Sequence, residues 1–243
     1  SWMQVVALGW LVLQLSGSGS QLGIVLALQF LPMLIFGPWG GVIVDRLDKR
    51  SLIGWTQATL GVLAIFISVL VFTDTIQLWM LYIFALAHGT VRVFDEPARQ
   101  TFVSEMVDED HVKNAVSLNA TENNLARVVG PSIAGVLIAG IGIAFCFFIN
   151  GLSYIAIVVM LYMMRAEELH TEPPVAKKPG QLMEGFRYVM AAPIIRNTLL
   201  MMSFIGTFAY EFQVSLPILA KNTFNGDAAS YAALMTAMGI GAG

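Results

Sequence analysis

The chain has 243 residues, 57% of them hydrophobic and only 12% charged, with a mean hydropathy of +0.73. A water-soluble domain carries roughly a quarter charged residues, so the composition excludes an ordinary soluble domain and points to lipid as the solvent. The net charge of -3 decides little, because a membrane chain responds to where its basic residues lie, and a lone cysteine, Cys146, excludes an internal disulfide framework or thiolate metal site.

A helix crossing hydrocarbon takes roughly 20 mostly apolar residues. The first run, Trp2 to Leu15, has 14 and is ended by SGSGS at 16–20. It is expected to be the latter part of a span that starts upstream. Ser1 opens onto it without a basic stretch, so no signal peptide is expected. Span 2 is expected at Gln21–Val44, span 3 at Leu52–Phe72 and span 4 from about Ile76 to Phe94, with Asp74 in a turn. The segment Asp95 to Asn114, with Glu96, Glu105, Asp108, Glu109 and Asp110, reads as a solvated polar loop.

Leu125 to Met164 is 40 residues, too long for one crossing, and Ala139-Gly140-Ile141-Gly142 is its plausible break. Span 6 is then Ile143–Met164. Span 5 must begin near Ser117, which draws Asn119, Glu122, Asn123, Asn124 and Arg127 towards the bilayer. Arg165 to Gly180 is a polar linker. Leu182, Phe186, Val189 and Met190 then recur at helical spacing opposite Glu184 and Arg187, as in an interfacial amphipathic helix or a solvated helix in a large loop. Span 7 is about Ile195–Ala220, and a last run of 13 residues occupies Tyr231–Gly243. The chain therefore reads as a fragment cut inside helices at both ends.

Turns alternate sides, so those after spans 2, 4 and 6 share a face. Of 13 Lys and Arg residues, twelve lie nearest that face and only Lys221 nearest the other. This positive-inside bias makes the basic face cytoplasmic.

Gly41 and Asp45, four apart, share one face of span 2. The glycine permits close approach of another helix, and the acid can accept from a helix N-terminus or an arginine. Arg46, Lys49 and Arg50 follow at an anionic lipid surface; on a purely topogenic reading they only hold the turn inside. On span 5, Pro131 leaves the carbonyl near Val128 or Arg127 without its helical donor. Around it Ala126, Gly130, Ala134 and Gly135 permit close packing, with an ordinary kinked membrane helix as the plain alternative.

An ionisable group at the helix centre costs roughly 2.5–3.5 kcal/mol on insertion scales and is a functional candidate. Glu211 is the cleanest case. It could carry a proton or line a wet cavity, and Tyr210 and Gln213 flank it as possible substrate contacts. Asn119, Asn123 and Arg127 form a stripe facing a cavity or its vestibule, with Glu122 beside it. His88 and Arg92 share a face of span 4; Arg92 could face the cavity or pair with Asp95 or Glu96. His88 reads as a packing or hydrogen-bonding residue, and Gln29 and Asn150 as helix–helix hydrogen-bonding groups. No catalytic constellation, metal-ligand spacing or phosphate-cradling loop occurs. The basic residues interleave with membrane loops, which excludes nucleic acid as a partner.

Gly41-x-x-x-Asp45-Arg46-x-x-Lys49-Arg50 resembles the signature between helices 2 and 3 of the major facilitator superfamily. VFDEPARQ (93–100), RVVGPSIAG (127–135), FINGLSYIA (148–156) and FQVSLPILA (212–220) are similar, in order, to its transmembrane secretion effector, or enterobactin exporter-like, branch. The resemblance implies an all-α membrane bundle of twelve helices, here truncated to about eight, in two six-helix halves built from inverted repeats around a cavity. Residues 1–164 would be the N-terminal half with its first helix incomplete, 165–194 the cytoplasmic linker, and 195–243 the start of the second half. The loop motif would stabilise the outward-facing state by docking on a second-half helix. Arg127, Gly130, Pro131 and Gly135 fall on a helix-5 motif associated with exporters, although Ala126 and Ala134 stand where that pattern prefers glycine. The implied function is proton-coupled efflux (antiport) of small amphipathic, siderophore- or drug-like molecules across the inner cell membrane, by a full-length monomer without cofactor, metal or catalytic residues. The rivals are a polytopic membrane enzyme, a non-transporting or lipid-handling membrane protein, and an inactive truncated chain.

Overall fold

In the computed structural model, residues 1–165, 169, 181–208 and 212–241 are described, and among them the structure is helical throughout. The helices are α1 (Trp2–Ser16), α2 (Gly19–Val44), α3 (Lys49–Phe72), α4 (Leu78–Glu105), α5 (Val112–Ile141), α6 (Ile143–Met163), α7 (Gln181–Ala191), α8 (Pro193–Phe208), α9 (Phe212–Ile218) and α10 (Ala228–Gly241). A 3₁₀ turn, Glu109–His111, leads into α5, and a π-helical turn, Leu219–Thr223, continues α9.

The breaks follow from backbone chemistry. Gly17 ends α1 at φ 63 and donates its N–H to Leu13 O at 3.0 Å, the left-handed cap that glycine adopts without strain. Gly142, at φ 95, separates α5 from α6 inside the expected break. Asp48 caps α3 by accepting from Ser51 N at 2.9 Å. Pro193 has no N–H and disfavours a helical Ala192, so α8 leaves α7 at 98°.

Among the described residues, four helical segments are long and apolar enough to cross a membrane: Gly19–Val44, Lys49–Phe72, Glu109–Ile141 and Ile143–Met163. α4 falls just short of them in mean hydropathy, yet it packs between α2 and α3. Its length corrects one expectation. Residues 95–105 are not a solvated loop but the last three turns of α4, and Asp95 and Glu105 are buried. Both are engaged across helices: Asp95 accepts hydrogen bonds from Thr56 and Gln57 of α3, and Glu105 is ion-paired with Lys49. α5 likewise begins at Val112, ahead of the expected Ser117.

α1 is the shortest of the first six helices and the most enclosed, with Val6, Ala7 and Val12 fully buried. Leu22, Leu81, Phe147, Tyr231 and Met235 converge on it from α2, α4, α6 and α10. Outward residues are apolar as well, Leu34 being 80% and Val136 74% exposed, as expected where lipid replaces water. α2 runs along α4, α3 along α6, and α5 along α10.

The starts of α3 and the ends of α4 and α6 meet at one end, joined by Lys49–Glu105 and by Arg50, which donates to the carbonyls of Leu161, Tyr162 and Met164 at 2.8, 3.0 and 2.7 Å. These carbonyls have no intrahelical donor, so Arg50 acts as a C-cap for α6. At the opposite end, Ser68 Oγ donates to Ala144 O at 2.8 Å, and Tyr82 donates to Gln21. There Lys221 reaches from the π-helical turn to Leu13 O of α1, at 2.7 Å.

Asp227 starts α10, accepting from Ser230 N at 2.9 Å and Ser230 Oγ at 3.1 Å, and these hydrogen bonds hold its carboxyl below the usual range. An acid depressed in the folded state contributes stability that is present above its unfolded value and is lost as pH falls through the depressed one. The protection factors of the 228–231 amides, taken against the intrinsic exchange rate at each pH, should therefore fall on acidification below the ordinary carboxylate range. Asp227→Ala should show the faster exchange at neutral pH, with loss of about 0.5–2 kcal/mol of local protection. Protection factors independent of both pH and substitution would refute the cap.

Candidate functional site

Polar residues on several helices surround a cavity of about 570 Å³. Each is placed by a local rule. On α4, His88, Arg92, Asp95 and Arg99 lie three or four apart, so one face of that helix turns to the cavity. Gln4, Gln29 and Gln57 reach it from α1, α2 and α3, and Gln213 from α9.

Three hydrogen-bond sets tie these walls together. Gln29 Nε2 lies 3.1 Å from His88 Nδ1, joining α2 to α4. Asn150 of α6 donates its amide to Gln4 of α1. Asp95 Oδ1 accepts from Thr56 Oγ1 at 2.6 Å and from Gln57 Nε2 at 2.8 Å. Each bond is worth about 0.6 kcal/mol on average inside a membrane protein, where the alternative states also find partners. Their larger effect is to fix helix register. Gln57 Oε1 and Asn150 Oδ1 remain buried with no donor among the described residues.

Of the residues singled out from the sequence, Arg92, Glu122, Asn123 and Gln213 line the cavity. Arg92 is ion-paired with Glu96, one turn on, and its guanidinium lies 5.9 Å from the Phe30 ring centroid. Glu211 and Tyr210 lie outside the described residues. Arg127 sits at the edge, its guanidinium 5.2 Å from the ring centroid of Trp2, while Nε has no partner among the described residues. Gly130 backs onto Trp2, where an added Cβ would come within 2.7 Å of the Trp2 Cβ.

Pro131 removes the donor for the carbonyl four residues earlier, that of Arg127. Gly239 of α10 covers this carbonyl so closely that a Cβ there would lie 2.8 Å from Arg127 O. Further along the same pair of helices, Ser132 bonds Thr236 at 3.0 Å and Gly135 meets Ala232. The helix-5 motif is thus the contact surface for α10.

The turn motif 41–50 lies apart from the cavity. Lys49 and Arg50 are taken up by α4 and α6, Arg46 is half-buried, and Asp45 is exposed, its carboxyl taking no hydrogen bond from any described residue. The close approach expected at Gly41 is made instead by its neighbour. A Cβ on Gly41 would meet nothing within 4 Å, whereas one on Gly40 would lie 2.7 Å from Val93 O. The reason is again a proline: Pro97 strips Val93 O of its helical donor, and the backbone of α2 closes over it.

Gln57 and Gln4 escaped the sequence reading, which placed Asp95 and Glu105 in a solvated loop, with Asp95 only as a possible partner of Arg92. A usable signal existed for the acids, since Asp95, Ala98, Phe102 and Glu105 recur every three or four residues and form one buried stripe.

A family profile described as "Transmembrane secretion effector" matches residues 1–243. The staphyloferrin A transporter of Staphylococcus aureus is 26% identical over 99% of this chain and 61% of its own length. The multidrug efflux pump Tap of Mycolicibacterium fortuitum is 29% identical over 85% of this chain and 52% of its own. The putative bacilysin exporter BacE of Bacillus subtilis is 24% identical over 85% and 52%. The chain thus spans between about half and three fifths of these relatives, which are transporters and not enzymes. With its profile matched from end to end and its apolar helices bundled around a polar cavity, the chain belongs to the transmembrane secretion effector family of major facilitator transporters, multi-pass membrane proteins.

Proposed function

We propose that this chain forms the larger part of a secondary exporter that moves small amphipathic, siderophore- or drug-like molecules out of the cell by alternating access, driven by protons. The observation that carries this reading is the cavity. Its volume of about 570 Å³ falls within the range of small-molecule sites, and its wall mixes apolar residues such as Phe30, Leu60 and Ile157 with the amides and charges above. Residues 1–164 act as one half of the transporter, 165–194 as the linker and 195–243 as the start of the other half.

The basic end of the bundle, with the 45–48 turn, faces the cytoplasm on this reading, supported by twelve of the thirteen Lys and Arg residues. Exposed cavity residues such as Arg99, Glu122 and Asn123 lie towards that end. Contacts between α1 and the Lys221 turn hold the opposite end together. This arrangement corresponds to an inward-facing state. Gly41 and Asp45, which present an open face, serve as the docking surface for a second-half helix when the transporter turns outward.

Glu211 is the proposed proton carrier, with Tyr210 and Gln213 beside it. In the full-length protein Glu211→Gln is expected to abolish proton-driven efflux in proteoliposomes, or to uncouple it from the pH gradient. Efflux with unchanged rate and unchanged pH dependence would remove Glu211 from the mechanism. Efflux that proceeds equally with and without a proton gradient in the wild type would remove the coupling ion itself.

A further inference from the structure

Two contacts with opposite effects join α1 to the α9–α10 segment, at the end of the bundle away from the 45–48 turn. The first is Lys221. Its ammonium donates to Leu13 O at 2.7 Å, and Gly17 N donates to the same carbonyl at 3.0 Å, so both lone pairs are used. The last turn of α1 contains no basic residue. Lys221 thus brings to the negative end of α1 the cation that its own sequence lacks. The π-helical turn Leu219–Thr223 carries Lys221 there, and Ile218 seats on Gly19 so closely that an added Cβ would overlap its Cδ1. Turns of this kind are rare and gather at functional sites.

The second contact is Tyr231. Gly9 precedes Leu13 by four residues and shares its face of α1, and an added Cβ on Gly9 would lie 3.2 Å from the Tyr231 hydroxyl oxygen. Tyr231 is fully buried, and its hydroxyl has no hydrogen-bond partner among the described residues. A buried hydroxyl without a partner destabilises the arrangement that buries it, whereas the ring beneath it packs favourably. On the proposed division both contacts cross between the halves, since α1 lies in residues 1–164 and Lys221 and Tyr231 in 195–243. Lys221 favours closure here and the Tyr231 hydroxyl opposes it. Such opposition keeps two positions of a joint close in free energy, so that either can be populated.

We propose that this joint is the outer gate of the transporter, with Lys221 as the latch that holds it shut and the Tyr231 hydroxyl as a built-in bias towards opening. This inference rests on the alternating-access reading, and it names the residues that set the resting balance between inward- and outward-facing states.

The test is the alkylation rate of Ala228→Cys in the full-length protein, with Cys146→Ala removing the native thiol. Ala228 is 5% exposed at the start of α10. A thiol placed there reacts with a membrane-impermeant maleimide when the gate opens, at a rate that follows the open fraction. Lys221→Met keeps the apolar stem and removes the charge, and it should raise the rate about tenfold. Lys221→Arg, which keeps the charge, should restore the wild-type rate. Tyr231→Phe should lower the rate about tenfold, and it carries the test by itself if Lys221→Met does not fold. An unchanged rate in Lys221→Met, or a Tyr231→Phe rate at or above that of the wild type, would overturn the gate. Contacts that merely hold the bundle together would speed the reaction in both variants. Ser153 lines the cavity and is exposed, so a bulky maleimide on Ser153→Cys wedges the inner end open. Under alternating access this wedge suppresses labelling at position 228. Labelling that follows the variants but ignores the wedge supports the joint and overturns alternating access, whereas labelling that obeys the wedge but not the variants does the reverse.

Discussion

Gly89→Val is expected to stop α2 and α4 from seating against each other and to abolish recovery of folded, monodisperse protein from the membrane. A Cβ on Gly89 would collide with the carbonyl oxygen of Gln29, lie 2.9 Å from that carbonyl carbon and 3.2 Å from Pro32 Cδ. The obstacle is backbone and a proline ring, neither of which can rotate away. Forcing extra carbon into a packed interface costs about 1–3 kcal/mol and occasionally more; a branched side chain aimed at main chain belongs at the upper end. Against a total stability of about 5–15 kcal/mol this is a large share. The same interface carries the Gln29–His88 hydrogen bond and, further along, the Gly40–Val93 contact, so a shift at Gly89 propagates to both. Gly41→Ala is the matched control, because a methyl there meets nothing within 4 Å. Thermal melting in detergent separates the two, and a Gly89→Val protein that melts with the wild type would refute the argument.

The second large effect is expected at Lys49 and Glu105, whose side chains are only 14% and 8% exposed. Removing one member leaves the other as an uncompensated charge, which costs ~3–5 kcal/mol at a buried site against ~0–1 kcal/mol for an exposed pair. At the end of the bundle an intermediate loss of about 2–4 kcal/mol is expected for Glu105→Ala. The double exchange Lys49→Glu with Glu105→Lys should recover part of it, and a double-mutant cycle on the melting curves measures the coupling. Additive single and double effects would mean that the pair does not hold α3 to α4. Because Arg50 caps α6 from the next position, losing the pair should also loosen the C-terminal turn of α6, visible as faster exchange at 160–164.

Spans 2, 3 and 6 and the break at Gly142 were legible from runs of apolar residues punctuated by glycine or charge, which are local properties. The same rule failed at residues 95–105. A cluster of acids after an apolar run scores as solvent, but here the acids face Thr56, Gln57 and Lys49 on another helix. The turn motif shows the same limit. Helical spacing picked Gly41 with Asp45, while the contact belongs to Gly40, because only the position of Val93 on α4 decides which face of α2 is closed. Among the candidate site residues, Arg92, Glu122, Asn123 and Gln213 were legible as polar groups at membrane depth, and all four line the cavity. Asp95 and Gln57 were not, since nothing near them along the chain marks them as a pair.

Composition and periodicity sufficed to make this a helical membrane protein, and five short motifs in register sufficed for its family. Which prolines are harmless was beyond them. Pro97 and Pro131 each free a carbonyl, and each is covered by a glycine from a helix far away in sequence, Gly40 for Val93 O and Gly239 for Arg127 O. Hydrophobicity is carried by each residue alone and can be read in order along the chain. Pairing of a carbonyl, a carboxylate or an ammonium depends on what the folded bundle sets beside it, and that is decided only when the helices meet.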